Sequence, residues 1–291
     1  MTMNVNQTRT FRLAYSSCPN DTFIFKAIAR QLIDLNGIGF DIHIDDVEAL
    51  NQAAVKVTHD ITKLSFAALG NLLDRYALLR SGAALGNGCG PLLVSRPGCS
   101  FQDTGGRRLT VAVPGMGTTA YHLFRFFMAD RFPEVDFTIH PMSFEKIMPA
   151  VADQRADFGL IIHEGRFVYP AMGLVQIADL GQWWEDKTGL PIPLGCIAVR
   201  RDLGLETACH IQTLIRRGVD HAFAHPDQGA DYIRQHAQEM EDQVIRQHID
   251  LYVNDFSKDL GNTGEQAVTA FFAYARKTGM IPDTDLPLFA C

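Results

Sequence analysis

Short apolar runs alternate along this chain with longer stretches whose apolar residues recur every three or four positions, the marks of buried strands and one-sided helices. Phe11 to Tyr15 reads as a strand, Thr22 to Leu32 as a helix, Gly39 to Asp45 as a strand and Val47 to Val57 as a helix. Asp60 to Phe66 reads as a short strand or turn, and a helix follows through Leu73. Two apolar stretches, Tyr76 to Arg80 and Pro91 to Ser95, close this series. Strands alternating with helices predict a mainly parallel sheet.

Arg96 to Arg108 is rich in Pro, Gly and polar residues and reads as a linker. A second series then begins, with strands over Leu109 to Val113, Phe137 to His140 and Phe158 to Ile162, and helices over Thr118 to Arg131 and Phe144 to Ala152. A Gly/Pro cluster, Thr188 to Leu194, precedes a strand, Gly195 to Arg200, and helical patterns dominate from there to Lys277. These breaks predict a first, discontinuous α/β lobe of residues 1–103 and 197–291 and a second lobe of residues 104–196. Two lobes joined by two crossings is the arrangement of a Venus-flytrap binding protein, with its ligand cleft between them.

A length of 291 residues agrees with two cores, and 47% hydrophobic residues supply them. The net charge of -7, with no basic stripe, argues against nucleic acid and anionic membrane as partners. Met1 to Thr10 is polar and carries no apolar signal core, and no run of about 18 apolar residues appears, so a cytoplasmic location is expected. The six cysteines lack C-x-x-C spacing and fit thiols in a reducing compartment. No metal is expected: H-E-x-x-H would need histidine where Phe167 stands, and the i, i+4 pair His221 and His225 has no third ligand nearby. No G-x-S-x-G marks a serine hydrolase. The expected partner is a small molecule; a homo-oligomer is left open.

Candidate chemistry gathers where strands end. The run Ile161-Ile162-His163-Glu164-Gly165-Arg166 closes an apolar strand on an imidazole, at the carboxyl edge where α/β sheets hold ligands. Two roles stay open for His163, a cleft group or a core histidine satisfied by a backbone carbonyl. Cys18-Pro19-Asn20-Asp21-Thr22 follows a strand and opens a helix with Asn20 or Asp21 as natural N-cap, and reads either as a plain capping turn, the commoner case, or as a helix start whose amides hold an anionic or carbonyl ligand. Cys18, without an adjacent base, is a weak nucleophile. Val113 to Ala120 repeats the strand, loop and helix start, its glycines allowing close backbone approach and Thr118 and Thr119 offering hydroxyls. It is neither a P-loop nor G-x-G-x-x-G, so a small carboxylate or polyol suits it better than ATP or NAD. The glycine-dense Ser81 to Pro91 reads as a cleft wall, a hinge or a structural turn. Thr62-Lys63-Leu64-Ser65 offers a cation and a hydroxyl near a strand end, or a solvated surface lysine.

Taken in order, these segments resemble the 1,4-dihydroxy-6-naphthoate synthase family of the futalosine route to menaquinone. The resemblance is carried by Ser16-Ser17-Cys18-Pro19-Asn20-Asp21-Thr22-Phe23-Ile24-Phe25, Lys63-Leu64-Ser65, Leu79 to Gly86 and Gly90-Pro91-Leu92. Val113-Pro114-Gly115 with Thr118-Thr119-Ala120, Ile161 to Glu164, Arg166-Phe167 and Leu190 to Gly195 continue it, from about Phe11 to the C-terminus. It implies an α/β, two-lobed periplasmic-binding-protein type II-like fold with the ligand cleft between the lobes, used as a cytoplasmic lyase without metal or organic cofactor. The implied reaction converts cyclic dehypoxanthine futalosine to 1,4-dihydroxy-6-naphthoate. His163 falls on the general base. Lys63, Leu64 and Ser65, with Thr118, Thr119 and Ala120, fall on substrate-binding positions, and the turn at Asn20 is expected to add amides for a carboxylate. Two rivals share the scaffold: a non-catalytic cytosolic solute-binding or sensor protein, and the sibling chorismate dehydratase. His163 and the Cys18-Pro19-Asn20-Asp21 turn favour the naphthoate branch.

Overall fold

The computed structural model describes residues 9–101, 108–237 and 241–291. Its first series is β1 (Arg9–Ser16), α1 (Pro19–Ala29), β2 (Ile38–Asp45), α2 (Val47–Val55), β3 (Ile61–Ser65), α3 (Phe66–Gly70), β4 (Tyr76–Leu78) and β5 (Ala84–Gly86). The second is β6 (Leu92–Ser95), β7 (Leu109–Val113), α4 (Thr119–Arg131), β8 (Phe137–Pro141), α5 (Phe144–Ala152), β9 (Phe158–Ile161), α6 (Gly165–Val168), β10 (Val175–Asp179) and α7 (Leu180–Thr188). The chain then runs through β11 (Ile192–Arg200), α8 (Leu205–Ala224), α9 (Ala230–His236), α10 (Asp242–Tyr252), α11 (Asp255–Lys258) and α12 (Gly261–Lys277).

The strands form two sheets of one design. The first runs β2-β1-β3-β11-β4, with β5 also on β11; the second runs β8-β7-β9-β6-β10. In each, the first three strands are parallel and the strand arriving from the other lobe, β11 or β6, pairs antiparallel with its neighbours. The expected mainly parallel sheet is therefore mixed, because a strand that crosses between lobes enters from the opposite end. The crossings also fall earlier than residues 103/104 and 196/197. Leu92–Ser95 belongs to the second sheet and Ile192–Arg200 to the first, so the chain changes lobe near Asn87–Pro91 and again near Gly189–Pro191. The expected linker, Arg96 to Arg108, instead joins β6 to β7 within the second lobe, and its residues 102–107 lie outside the described residues. Pattern alone does not say which sheet an apolar run will join.

Caps fix several helix starts. Asp46 accepts from the amides of Glu48 and Ala49 at α2, Thr118 from Tyr121 at α4, and Asp179 from Gly181 and Gln182 at α7. Helix α1 begins earlier than the expected Thr22, with Cys18 at the N-cap position and Pro19 in the first turn, so Asn20 and Asp21 are first-turn residues and not caps.

Each lobe has its own apolar cluster, the first around Phe11, Tyr15, Phe25 and Ile215, the second around Val94, Ile147 and Val151. A third cluster joins the lobes behind the cleft. There α12 packs Phe271 at 5.9 Å from Trp184 of α7, 5.8 Å from Phe126 and 6.2 Å from His122 of α4, ring centroid to ring centroid. No helix among the described residues is long and apolar enough to cross a membrane.

Candidate active site

Because the two sheets share one strand order, the carboxyl ends of β1 and β3 face those of β7 and β9 across the cleft. The turn after β1 contributes Ser16, Asn20 and Asp21, β3 contributes Lys63 and Ser65, the turn after β7 contributes Thr118, Thr119 and Ala120, and the end of β9 contributes Ile162 and His163. Val47, Ala84, Cys89, Pro91, Leu194, Gly195 and Tyr252 complete the wall of the cleft. The glycine-dense Ser81 to Pro91 stretch thus supplies part of the wall, and Ala84–Gly86 within it forms β5. Arg166 pins that stretch to the second lobe, donating to the carbonyls of Gly88 and Gly90 and to Asp179. Gly90 has a specific reason to lack a side chain, since a Cβ there would stand 2.3 Å from Cα of Gly181.

His163 follows β9 with φ +55, a left-handed conformation that is costly for a residue with a Cβ. Of the non-glycine residues with positive φ, Gln31, Asn36, Val57, Gln154 and His163, it alone lines the cleft among the described residues. The ring stands edge-on to Phe144 at 5.2 Å and nearly parallel to His248 at 6.0 Å. Its Nδ1 lies 3.5 Å from Sγ of Cys18, a contact between the lobes. Burial pushes the imidazole pKa down to about 4, opposed by the Asp21 carboxylate and assisted by the Lys63 ammonium, so at neutral pH the ring is uncharged and able to accept a proton. Cys18 is different: burial first, then the charges of Asp21 and Glu164, drive its thiol well above the ordinary range, which leaves it un-ionised.

Beside His163 lies a buried charged cluster. Lys63 Nζ reaches Asp21 Oδ1 at 2.5 Å with both side chains almost wholly buried. Asn20 donates to the same oxygen at 2.8 Å, and Ser16 donates to Oδ2 from its hydroxyl at 2.6 Å and its amide at 3.2 Å. These donors supply what a buried carboxylate otherwise loses with its water. Lys63 fits here because Gly195, which pairs with Ser65 on β11, has no Cβ; one would fall 2.9 Å from Cε of the lysine. Ser65 is held by Asn51 through both its amide and its hydroxyl.

Most of the expected binding residues meet in this one cleft: Asn20, Lys63, Ser65, Thr118, Thr119, Ala120 and His163. Leu64 does not. Strand alternation turns its side chain to the other face of β3, where it is fully buried in the core that joins the lobes. The threonine hydroxyls are also not free donors. Thr118 donates to the carbonyl of Gly115 and caps α4, and Thr119 donates to the carbonyl of Leu194 while accepting from the amide of Ala67. What α4 can offer a ligand is the amides of Thr119 and Ala120, which have no carbonyl ahead of them in the helix, since that of Tyr121 is taken by the Thr118 cap. The glycine of the preceding loop likewise serves packing: Gly115, at φ +149, lies where a Cβ would stand 2.5 Å from Cδ of Glu48. Lys63 is no solvated surface lysine, and no group of three or more potential metal ligands occurs among the described residues. Ser16, Asp21, Tyr252 and His248 were missed as site residues. Ser16 and Asp21 lie within a run that stands out in the sequence, whereas Tyr252 reaches the cleft, and His248 stands behind Asn20, only through the placement of α10, for which the chain carries no local signal.

Two α/β lobes of matching topology, with polar groups converging from strand ends on an interlobe cleft, define a periplasmic-binding-protein-like fold. Solved structures agree. A protein from Archaeoglobus fulgidus superposes with TM-score 0.85 at 30% identity, over 96% of this chain and 100% of that one. The alkanesulfonate-binding protein from Xanthomonas axonopodis pv. citri, bound to MOPS, superposes with TM-score 0.69 at 12% identity over 94% of each chain, a likeness of fold alone. Residues 11–277 match the family described as menaquinone biosynthesis. The 1,4-dihydroxy-6-naphthoate synthase of Thermus thermophilus is 46% identical over 96% of this chain and 98% of its own, and that of Streptomyces coelicolor 44% identical over 94% and 95%. The chain belongs to the 1,4-dihydroxy-6-naphthoate synthase family of menaquinone biosynthesis.

Proposed function

We propose that the protein is a carbon–carbon lyase that converts cyclic dehypoxanthine futalosine to 1,4-dihydroxy-6-naphthoate in the cytoplasm, with His163 as general base. The observation that carries this reading is the placement of one neutral imidazole, in a left-handed backbone conformation, at a strand end facing the cleft that Asn20, Asp21 and Lys63 also line. A backbone held in a costly conformation inside a ligand cleft is the kind of outlier that function explains better than packing.

The chemistry makes modest demands. Removal of a proton and expulsion of the sugar-derived fragment let the remaining ring system become aromatic, and no electrons pass to an external acceptor, so the reading calls for neither metal nor organic cofactor. It requires a base within reach of that proton, donors for developing negative charge, and exclusion of water. A positioned base contributes about 10²- to 10⁴-fold. The first-turn amides of α1 and α4 and the Lys63 ammonium are the cationic or donor groups suited to a carboxylate or an enolate oxygen.

Incubation of the protein with cyclic dehypoxanthine futalosine, followed by naphthoate absorbance, tests the assignment. Wild-type protein is expected to turn over, and His163→Asn to lose at least a hundredfold in kcat while still binding the product. Near-normal turnover by His163→Asn would remove His163 as base. Binding without any turnover by the wild type would favour a solute-binding protein.

A further inference from the structure

We propose that His248, on α10, is a positioning residue for this site: by donating from Nε2 to Asn20 it sets the orientation of the amide that, together with Lys63, holds Asp21. The inference rests on the lyase reading for its kinetic consequences but not for its geometry. Asp21 is fully buried, and its Oδ1 receives Lys63 Nζ at 2.5 Å and Asn20 Nδ2 at 2.8 Å. A carboxylate facing an ammonium only accepts, so Asn20 must turn its NH2 toward Asp21 and its carbonyl oxygen away. That oxygen lies 2.9 Å from His248 Nε2. Two acceptors cannot bond, and therefore Nε2 must carry the ring proton and Nδ1 must be a bare lone pair.

The rest of the His248 environment agrees with that tautomer. The side chain is 1% exposed, its Nδ1 has no partner among the described residues, and its ring packs between Tyr252 at 4.6 Å and His163 at 6.0 Å. Burial lowers its pKa, as does His163 whenever that ring is protonated and the Lys63 ammonium throughout, and this keeps His248 neutral. An unpartnered buried nitrogen is unfavourable, and a phenyl ring would fill the same space without one. Packing alone does not account for an imidazole here; the bond from Nε2 does. Without it the Asn20 amide is free to rotate its oxygen onto Asp21, repelling the carboxylate and loosening the Lys63 contact at the cleft wall.

Two measurements test this. ¹⁵N NMR of histidine-labelled protein reads the tautomer directly: the Nε2–H form is expected for His248, and an Nδ1–H form overturns the proposal whatever the protein catalyses. Binding of 1,4-dihydroxy-6-naphthoate and steady-state kinetics then compare His248→Phe, His248→Gln, Asn20→Ala and the double variant His248→Phe/Asn20→Ala. His248→Phe is expected to weaken product affinity and raise KM about tenfold with a smaller change in kcat. His248→Gln, which can place an amide N–H near the position of Nε2, should recover most of that loss, and the double variant should be no worse than Asn20→Ala. Equal behaviour of the Phe variant and wild type, no difference between Phe and Gln, or multiplication of the two single losses would each overturn it. Absence of turnover by the wild type would instead count against the lyase reading and leave the NMR and product-binding arms to decide on His248.

Discussion

At the scale of single residues, the site depends on keeping imidazoles uncharged beside a buried ion pair. His163 has its pKa lowered to about 4, so its base form persists far below the 6.5 of an ordinary histidine. If His163 is the base, kcat/KM is expected to hold its plateau from pH 8 down to about pH 5 and to fall only with a group titrating near 4. An acid limb centred near 6.5 in the pH–rate profile would contradict that environment. The same residue shows how much the sequence could say: an imidazole closing an apolar strand was visible as a candidate, but its burial, its left-handed φ and its Cys18 contact depend on a second lobe whose position no local pattern contains.

At the scale of elements, β3 divides its residues by face. Lys63 and Ser65 point to the cleft and Leu64 into the core, although all three sit in one run that resembles a binding stretch. Leu64→Ala is therefore expected to cost about 2–5 kcal/mol of stability in urea denaturation and to leave KM close to wild type. A large rise in KM with unchanged stability would place Leu64 in the site after all. The elements with clear periodicity, such as Leu109–Val113 and Phe144–Ala152, were legible to the residue. Those hidden by context were not: β5 lies within a glycine-rich stretch, and β10 and α7 occupy a span with no strong pattern. Ala84–Gly86 becomes a strand because β11 offers it a hydrogen-bonding edge, which is a tertiary cause.

At the scale of the whole molecule, the lobes are bound by the shared core behind the cleft, and three enclosed histidines make its stability depend on pH. Burial lowers the pKa of His122 to about 4, of His163 to about 4 and of His248 well below 6.5. Because the unfolded chain takes up these protons near 6.5 and the folded one only near 4 or lower, their contribution is complete above pH 6.5 and is lost as pH falls through that window. The urea midpoint is expected to be lower at pH 5 than at pH 7, and His122→Phe, which removes one such group from the aromatic core, should reduce the difference. An equal midpoint at both pH values would show that these rings are not held neutral. By itself the sequence determined the two α/β series and the placement of His163, Lys63, Asn20 and Thr119 at or just after strand ends, since periodicity and spacing are local properties, and its motifs carried the resemblance to one family. Only the tertiary structure decided which sheet Leu92–Ser95 and Ile192–Arg200 join, which hydroxyls are already used, that Leu64 faces inward, and that His248 stands behind Asn20. Those outcomes follow from hydrogen-bonding edges and burial shared between segments far apart in the chain, and no single segment carries them.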